Sequence, residues 1–301
     1  MSKLVELPLD LYPSDPFRGL ESLRPEFTLA NARASMWLAQ VAYETRGDEA
    51  KLRAIGTRWA LRALTPIHGR RANQAFADTR GVIAETDRAV FLSFAGTDPA
   101  VWENIITDLR AVRPGTRIHP GFQDAFELAS GAVDDAIAKA RGKGFFIVGH
   151  SLGAALAVLA TRFARNKQAA VTATYLFGCP RVGDASFSRE YDALAGANSY
   201  RLVHGDDVVT RIPAITGYHH VGRMVQCDSG GRFAAENLER APGGDEPRIV
   251  DNAFDVVLEN ILHLMRLHVS LPGPGPLGPL LQLLPVEIRD HLPDGYLRAL
   301  P

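Results

Sequence analysis

The 301-residue chain has little cysteine, no surplus of charge of either sign and no long apolar run. Its two cysteines, Cys179 and Cys227, are too few for a disulfide framework. Cys179 lies in an apolar, strand-like stretch, and both read as ordinary buried thiols. Lys and Arg total 33 against 34 Asp and Glu, a formal net charge of −1. That balance gives no reason to expect nucleic acid or another acidic polymer as a partner. No stretch reaches the ~18 apolar residues that a bilayer span needs, so no transmembrane segment is expected. The first ten residues place Glu6, Pro8 and Asp10 where a secretory leader would be apolar. A cytoplasmic protein is the resulting expectation, with export of a chain whose leader has been removed as its rival. Internal repeats and the signature of a second domain are missing too. Single α/β domains of this length are common, so residues 1–301 are expected to form one domain.

What is present centres on Phe145-Phe146-Ile147-Val148-Gly149-His150-Ser151-Leu152-Gly153. Four uninterrupted apolar residues suit a strand buried on both faces. The Ala- and Leu-rich run after Gly153 suits a helix. Between them stands a G-x-S-x-G pattern. A strand turning sharply into a helix holds the turn residue in a strained conformation, and small residues two before and two after let the backbone pass. Ser151 is thereby presented at the sheet edge in front of a helix N-terminus. An ordinary Gly-rich turn shares the pattern, so the rest of the chain must supply the partners.

Along the chain, apolar residues at helical spacing predict a helix over 30–45, and a second, Arg-rich helix is expected over 49–64, ended by Pro66. Both read as cover for a sheet. Strands are expected over 74–77, 81–85 and 89–94, with Asp87-Arg88 as the break before the last. That strand delivers Ala95-Gly96-Thr97-Asp98 at its C-terminal end, where ligands bind in open α/β sheets, although a capped turn would look the same. Val101, Trp102, Ile105, Ile106 and Leu109 share one face of a short predicted helix, which suits either a core element or a mobile cover over an apolar site. His119-Pro120-Gly121-Phe122 leads into a helix over 123–140. Further strands are expected over 171–177, 200–204 and 219–225, and helices over 186–194 and 251–269. The Pro/Gly run 271–279 cannot be regular structure and reads as a stiff connection to a tail containing His291. Alternating strands and helices predict an α/β protein with a mostly parallel sheet covered on both faces.

A nucleophilic serine needs a base within hydrogen-bond reach, a carboxylate to orient that base, and two N–H donors for the oxyanion. Beyond Ser151, Asp206 and Asp207 stand at the C-terminal end of a strand, and a solvated turn is the plainer use of either. Five histidines follow. His219 and His220 fall in a strand pattern, and His263 and His268 fall on an apolar helix. His291 lies in a polar segment beyond the long connection, free to be aimed at the site.

Taken together, these motifs resemble the class 3 lipase family, the fungal-lipase-like branch of the α/β-hydrolases. The 149–153 elbow is similar to that family's G-H-S-L-G segment, and Phe94-Ala95-Gly96-Thr97 resembles its oxyanion segment. Residues 102–109 resemble the lid helix that follows, and 119–122 its H-x-G-F. Phe177-Gly178-Cys179-Pro180-Arg181-Val182-Gly183-Asp184 is similar to its F-G-x-P-R-V-G-[ND], and 201–209 to the segment holding the triad acid. Asp290-His291 with Tyr296 resembles its D-H-x-x-x-x-Y tail. The chain departs from the pattern at Ala95, Asp206 and Thr210, where Arg, Asn and Pro are usual.

The resemblance implies an α/β-hydrolase fold with a short helical lid over 98–114 and a connection and tail over 271–301 carrying the catalytic histidine. It implies a serine hydrolase of carboxylic esters, foremost a triacylglycerol lipase. A carboxylesterase or phospholipase A1-type acyl hydrolase is the alternative, and a non-catalytic binding scaffold a more distant one. Ser151 would be the nucleophile, His291 the base and Asp207 its orienting acid, the second of the two carboxylates being the one that aligns. The backbone N–H groups of Thr97 and Leu152 would form the oxyanion hole, with Trp102, Ile105, Ile106 and Leu109 forming the lid and acyl-binding face. No metal or cofactor is implied. The expected partners are a lipid or other ester substrate and, transiently, a lipid–water interface.

Overall fold

A computed structural model describes residues 7–45, 47, 49–70, 78–96, 115–213, 217–239 and 286–301. Helix α1 (Leu29–Glu44) starts where the Thr28 hydroxyl accepts from the Asn31 N–H at 3.0 Å. Helix α2 is Glu49–Arg58, and strands β1 (Ala63–Arg70), β2 (Asp78–Glu85) and β3 (Ala89–Phe94) follow. Then come α3 (Pro120–Glu127), α4 (Ser130–Lys139), β4 (Gly144–His150), α5 (Leu152–Asn166) and β5 (Ala173–Phe177). The two-residue β6 (Gly183–Asp184), α6 (Ala185–Ala195), β7 (Ser199–His204), β8 (Tyr218–His219) and β9 (Arg223–Cys227) lead to the tail helices α7 (Val286–Arg289) and α8 (Pro293–Ala299).

The main sheet has seven strands in the order β1-β2-β3-β4-β5-β7-β9. The β1–β2 and β2–β3 pairs are antiparallel and the other pairs parallel. Period-two alternation sorts the central side chains into two cores. Val90, Leu92, Phe94, Phe145 and Ile147 face α3, α4 and α5. Phe91, Phe146, Val148, Tyr175 and Phe177 face α1 and the segment before it. Burial on both faces explains why β3, β4 and β5 read as continuous apolar runs. Their parallel register, Phe94 opposite Gly149 and His150 opposite Phe177, brings the turns after β3, β4 and β5 to one edge.

Four sequence expectations need correction. Helix α2 ends at Arg58, not near residue 64. Ala60 takes a left-handed φ of 49° and the Leu61 N–H returns to the Gly56 carbonyl at 3.0 Å, closing the helix. Pro66 does not end a helix; it lies inside β1, and its missing donor is tolerated because β1 is an edge strand. The single helix over 123–140 is two helices, broken where the Ala129 N–H bonds back to the Phe126 carbonyl. The strand over 219–225 is divided between β8 and β9, because Gly222 at φ +70° turns the chain and donates its N–H to Asp192. The expected strand over 74–77 and helix over 251–269 lie outside the described residues.

Candidate active site

Strand β4 runs into α5 through Ser151, whose φ of 59° and ψ of −130° form a strained turn. The glycines around it are steric requirements. A Cβ on Gly149 would meet the Gly153 carbonyl oxygen at 2.0 Å, and one on Gly153 would meet the Phe94 carbonyl oxygen at 2.2 Å. Ser151 donates its own N–H to the Phe177 carbonyl at 2.9 Å, pinning the turn to β5. Leu152 opens α5, so its N–H belongs to the first turn, where no intrahelical carbonyl is available to it.

The two adjacent carboxylates part company after β7. Asp206 stays at the surface, where its carboxylate pairs with Arg211 at 2.9 Å. Asp207 is fully buried. Its Oδ1 accepts the Val209 N–H at 2.8 Å and its Oδ2 accepts the Tyr296 hydroxyl at 2.6 Å. His291 Nδ1 lies 2.8 Å from each carboxylate oxygen. Burial opposes ionisation of Asp207, but the nearby His291 and the hydrogen bonds from His291 and Tyr296 together hold its carboxyl below the usual range. A carboxylate only accepts, so His291 carries its proton on Nδ1 and the lone pair of the neutral ring on Nε2.

The tail that brings His291 here is tied down by side chains. The Asp290 carboxylate accepts the Asp206 N–H at 2.9 Å and the Ser229 hydroxyl. Phe233 N–H donates to the Ala299 carbonyl at 2.9 Å. Gly178, after β5 at φ +56°, forms the wall beneath the pair. A Cβ there would come within 2.7 Å of Asp207 Oδ2 and 2.9 Å of the His291 ring. The structure therefore brings Asp207 and His291 together and bonds the His291 backbone to His150, the residue before Ser151 and Leu152. Thr97, Trp102, Ile105, Ile106 and Leu109, like His263 and His268, lie outside the described residues.

Sequence reasoning missed Tyr43, which it placed on a covering helix. The Tyr43 hydroxyl lies 2.7 Å from Nδ1 of His150, and His150 Nε2 is 2.8 Å from the His291 carbonyl oxygen. Burial, reinforced by the proximity of His291, depresses the His150 pKa to about 3, so that ring is neutral. Among the described residues no group of three or more His, Cys, Asp or Glu is arranged to hold a metal ion, and no helix is long and apolar enough to cross a membrane.

Residues 91–217, which hold the oxyanion-like turn, the elbow and both carboxylates, match the family model described as Lipase (class 3). Over that segment the chain is similar to the class 3 lipase family. It is 36% identical over 121 residues to secreted mono- and diacylglycerol lipase 1 of Fusarium solani, covering 38% of this chain and 36% of that relative. It is 30% identical over 189 residues to phospholipase A1-II 4 of Oryza sativa subsp. japonica, covering 52% of this chain and 47% of that one. The matches thus span less than half the length of either relative. The fold is similar to that of the lipase from Rhizopus microsporus var. chinensis, with a TM-score of 0.53 at 21% identity over 75% of this chain and 81% of that one. This is the α/β-hydrolase fold.

Proposed function

We propose that the protein is a serine hydrolase of acylglycerol-type carboxylic esters. The observation that carries the proposal is the buried Asp207–His291 pair, held against the Ser151 elbow by the hydrogen bond from His150 to the His291 carbonyl. Ser151 Oγ attacks the ester carbonyl carbon while His291 Nε2 takes the hydroxyl proton. The tetrahedral oxyanion is met by the N–H groups of Leu152 and Thr97. Collapse breaks the bond to the alcohol, which leaves with the proton from His291. Water, deprotonated by the same ring, then attacks the acyl-enzyme, and collapse releases the carboxylic acid and restores Ser151. Asp207 fixes the ring tautomer and stabilises the imidazolium without itself taking the proton.

Triacylglycerol is the substrate expected from the motifs. The Fusarium relative's name favours mono- and diacylglycerols, and the rice relative's name supports phospholipid acyl hydrolysis as a second reading. The apolar face of Val101, Trp102, Ile105, Ile106 and Leu109 would serve as the cover that opens at a lipid surface. The Fusarium relative is named as secreted, and fractionation of the producing cells tests whether this protein is exported. The test is hydrolysis of mono-, di- and triacylglycerols and a phosphatidylcholine with acyl chains from two to eighteen carbons, dissolved and emulsified. Release of fatty acid from glycerol esters is expected. Release from none of them, with Ser151 inert to fluorophosphonate, would leave a binding scaffold as the reading.

A further inference from the structure

We infer that Tyr43 is a positioning residue for the reaction, acting through His150 to fix where His291 stands; this rests on the hydrolase reading above. Three observations meet at one point. First, the His291 carbonyl can only accept, so His150 Nε2, 2.8 Å away, must carry the ring proton. His150 is neutral, so its Nδ1 then carries the lone pair, and the Tyr43 hydroxyl at 2.7 Å donates to it. Tyr43 thus selects the one tautomer of His150 that can hold the tail. In the other tautomer a nitrogen lone pair would face the carbonyl oxygen in a fully buried site.

Second, the same hydroxyl sits beneath the oxyanion segment. A Cβ on Gly96 would meet it at 2.3 Å and would also meet Ser151 Cβ at 2.7 Å and the His150 carbonyl oxygen at 2.8 Å. Helix α1, the turn after β3 and the elbow therefore meet at one hydroxyl, and the tail is joined to it through the His150 ring. Third, the tail is bonded to the elbow and to the acid at different points. Away from the elbow, Asp290 and Tyr296 bond with Asp207, His204, Asp206 and Ser229. Those bonds set the height of the His291 ring above the acid. The bond from His150 sets its approach to Ser151, and displacement of reacting groups by an ångström is costly in turnover.

The test compares wild type with Tyr43→Phe on a soluble four-carbon ester, counting active sites by fluorophosphonate labelling. The expected result is a fall of about tenfold in kcat per labelled site, the size of one hydrogen bond, with KM within twofold and the melting temperature close to wild type. In parallel, ¹⁵N histidine spectra of Ser151→Ala, with and without Tyr43→Phe, should show His150 as the Nε2–H tautomer and then as a mixture. An unchanged kcat per labelled site overturns the inference, including the case in which only the melting temperature falls, and so does an Nδ1–H tautomer in the parent. Failure of wild type itself to label or turn over ester would instead sink the hydrolase reading, and with it the catalytic part of this one.

Discussion

His291 Nδ1 lies 2.8 Å from both carboxylate oxygens of Asp207, with neither side chain exposed to solvent. Asp206, one residue earlier, points the other way and pairs with Arg211. Asp207→Asn should therefore reduce turnover on the order of 10⁴-fold by allowing the wrong His291 tautomer. Asp206→Asn should change it less than threefold, because a surface ion pair contributes at most about 1 kcal/mol. Steady-state kinetics of the two variants decide the matter, and equal losses would mean that both carboxylates orient the base.

Tyr296 gives Asp207 a hydroxyl at 2.6 Å, and the His204 N–H in turn donates to that hydroxyl at 3.3 Å. Tyr296→Phe leaves the ring packed and removes one charge-assisted bond, which is worth about 1.5–3 kcal/mol. A lower unfolding free energy of that order is expected, together with a turnover loss smaller than that of Asp207→Asn. Stability and turnover both equal to wild type would show that this bond does not form.

Asp192 supplies a pH dependence remote from the chemistry. Burial raises its carboxyl to about 6, although the Gly222 N–H and Arg201 both favour the ionised form. In the unfolded chain an aspartate titrates near 3.9. Between those values the folded protein holds more protons, so the contribution is fully present below about 3.9 and lost as pH rises through about 6. Asp192→Asn should therefore gain stability relative to wild type between pH 4 and pH 7, measured by urea unfolding. A difference independent of pH would show that Asp192 titrates normally in the fold.

The elbow was legible in the sequence because its constraint is local. Ser151 at positive φ with Gly149 and Gly153 pressed on backbone leaves no other residue types at those two positions. The continuous apolar strands were legible for a similar reason, being buried on both faces. The choice between Asp206 and Asp207 was not legible from their own spacing, since burial is decided by the tail docking 84 residues later. Tyr43 was hidden because a tyrosine on the apolar face of α1 carries no sign of what its hydroxyl meets. The end of α2 was misjudged because Ala60 is an unusual residue for a left-handed helix stop.

For the segment 98–114 the expectation is still that of an amphipathic cover. Trp102→Ser combined with Ile106→Ser should spare short dissolved esters and depress emulsified long-chain ones, since a cover contributes apolar contact at a lipid surface. Equal losses on both substrates, with a lower melting temperature, would make this helix part of the core.

The most direct measurement is the mass of the protein after incubation with a fluorophosphonate, followed by peptide mapping. The account predicts one phosphonyl group per chain, on Ser151, formed with loss of ester turnover. His291→Ala should slow that labelling by orders of magnitude, and Ser151→Ala should abolish both labelling and turnover while remaining folded. Ester turnover that survives Ser151→Ala, or a phosphonyl group on another residue with Ser151 unmodified, would contradict it.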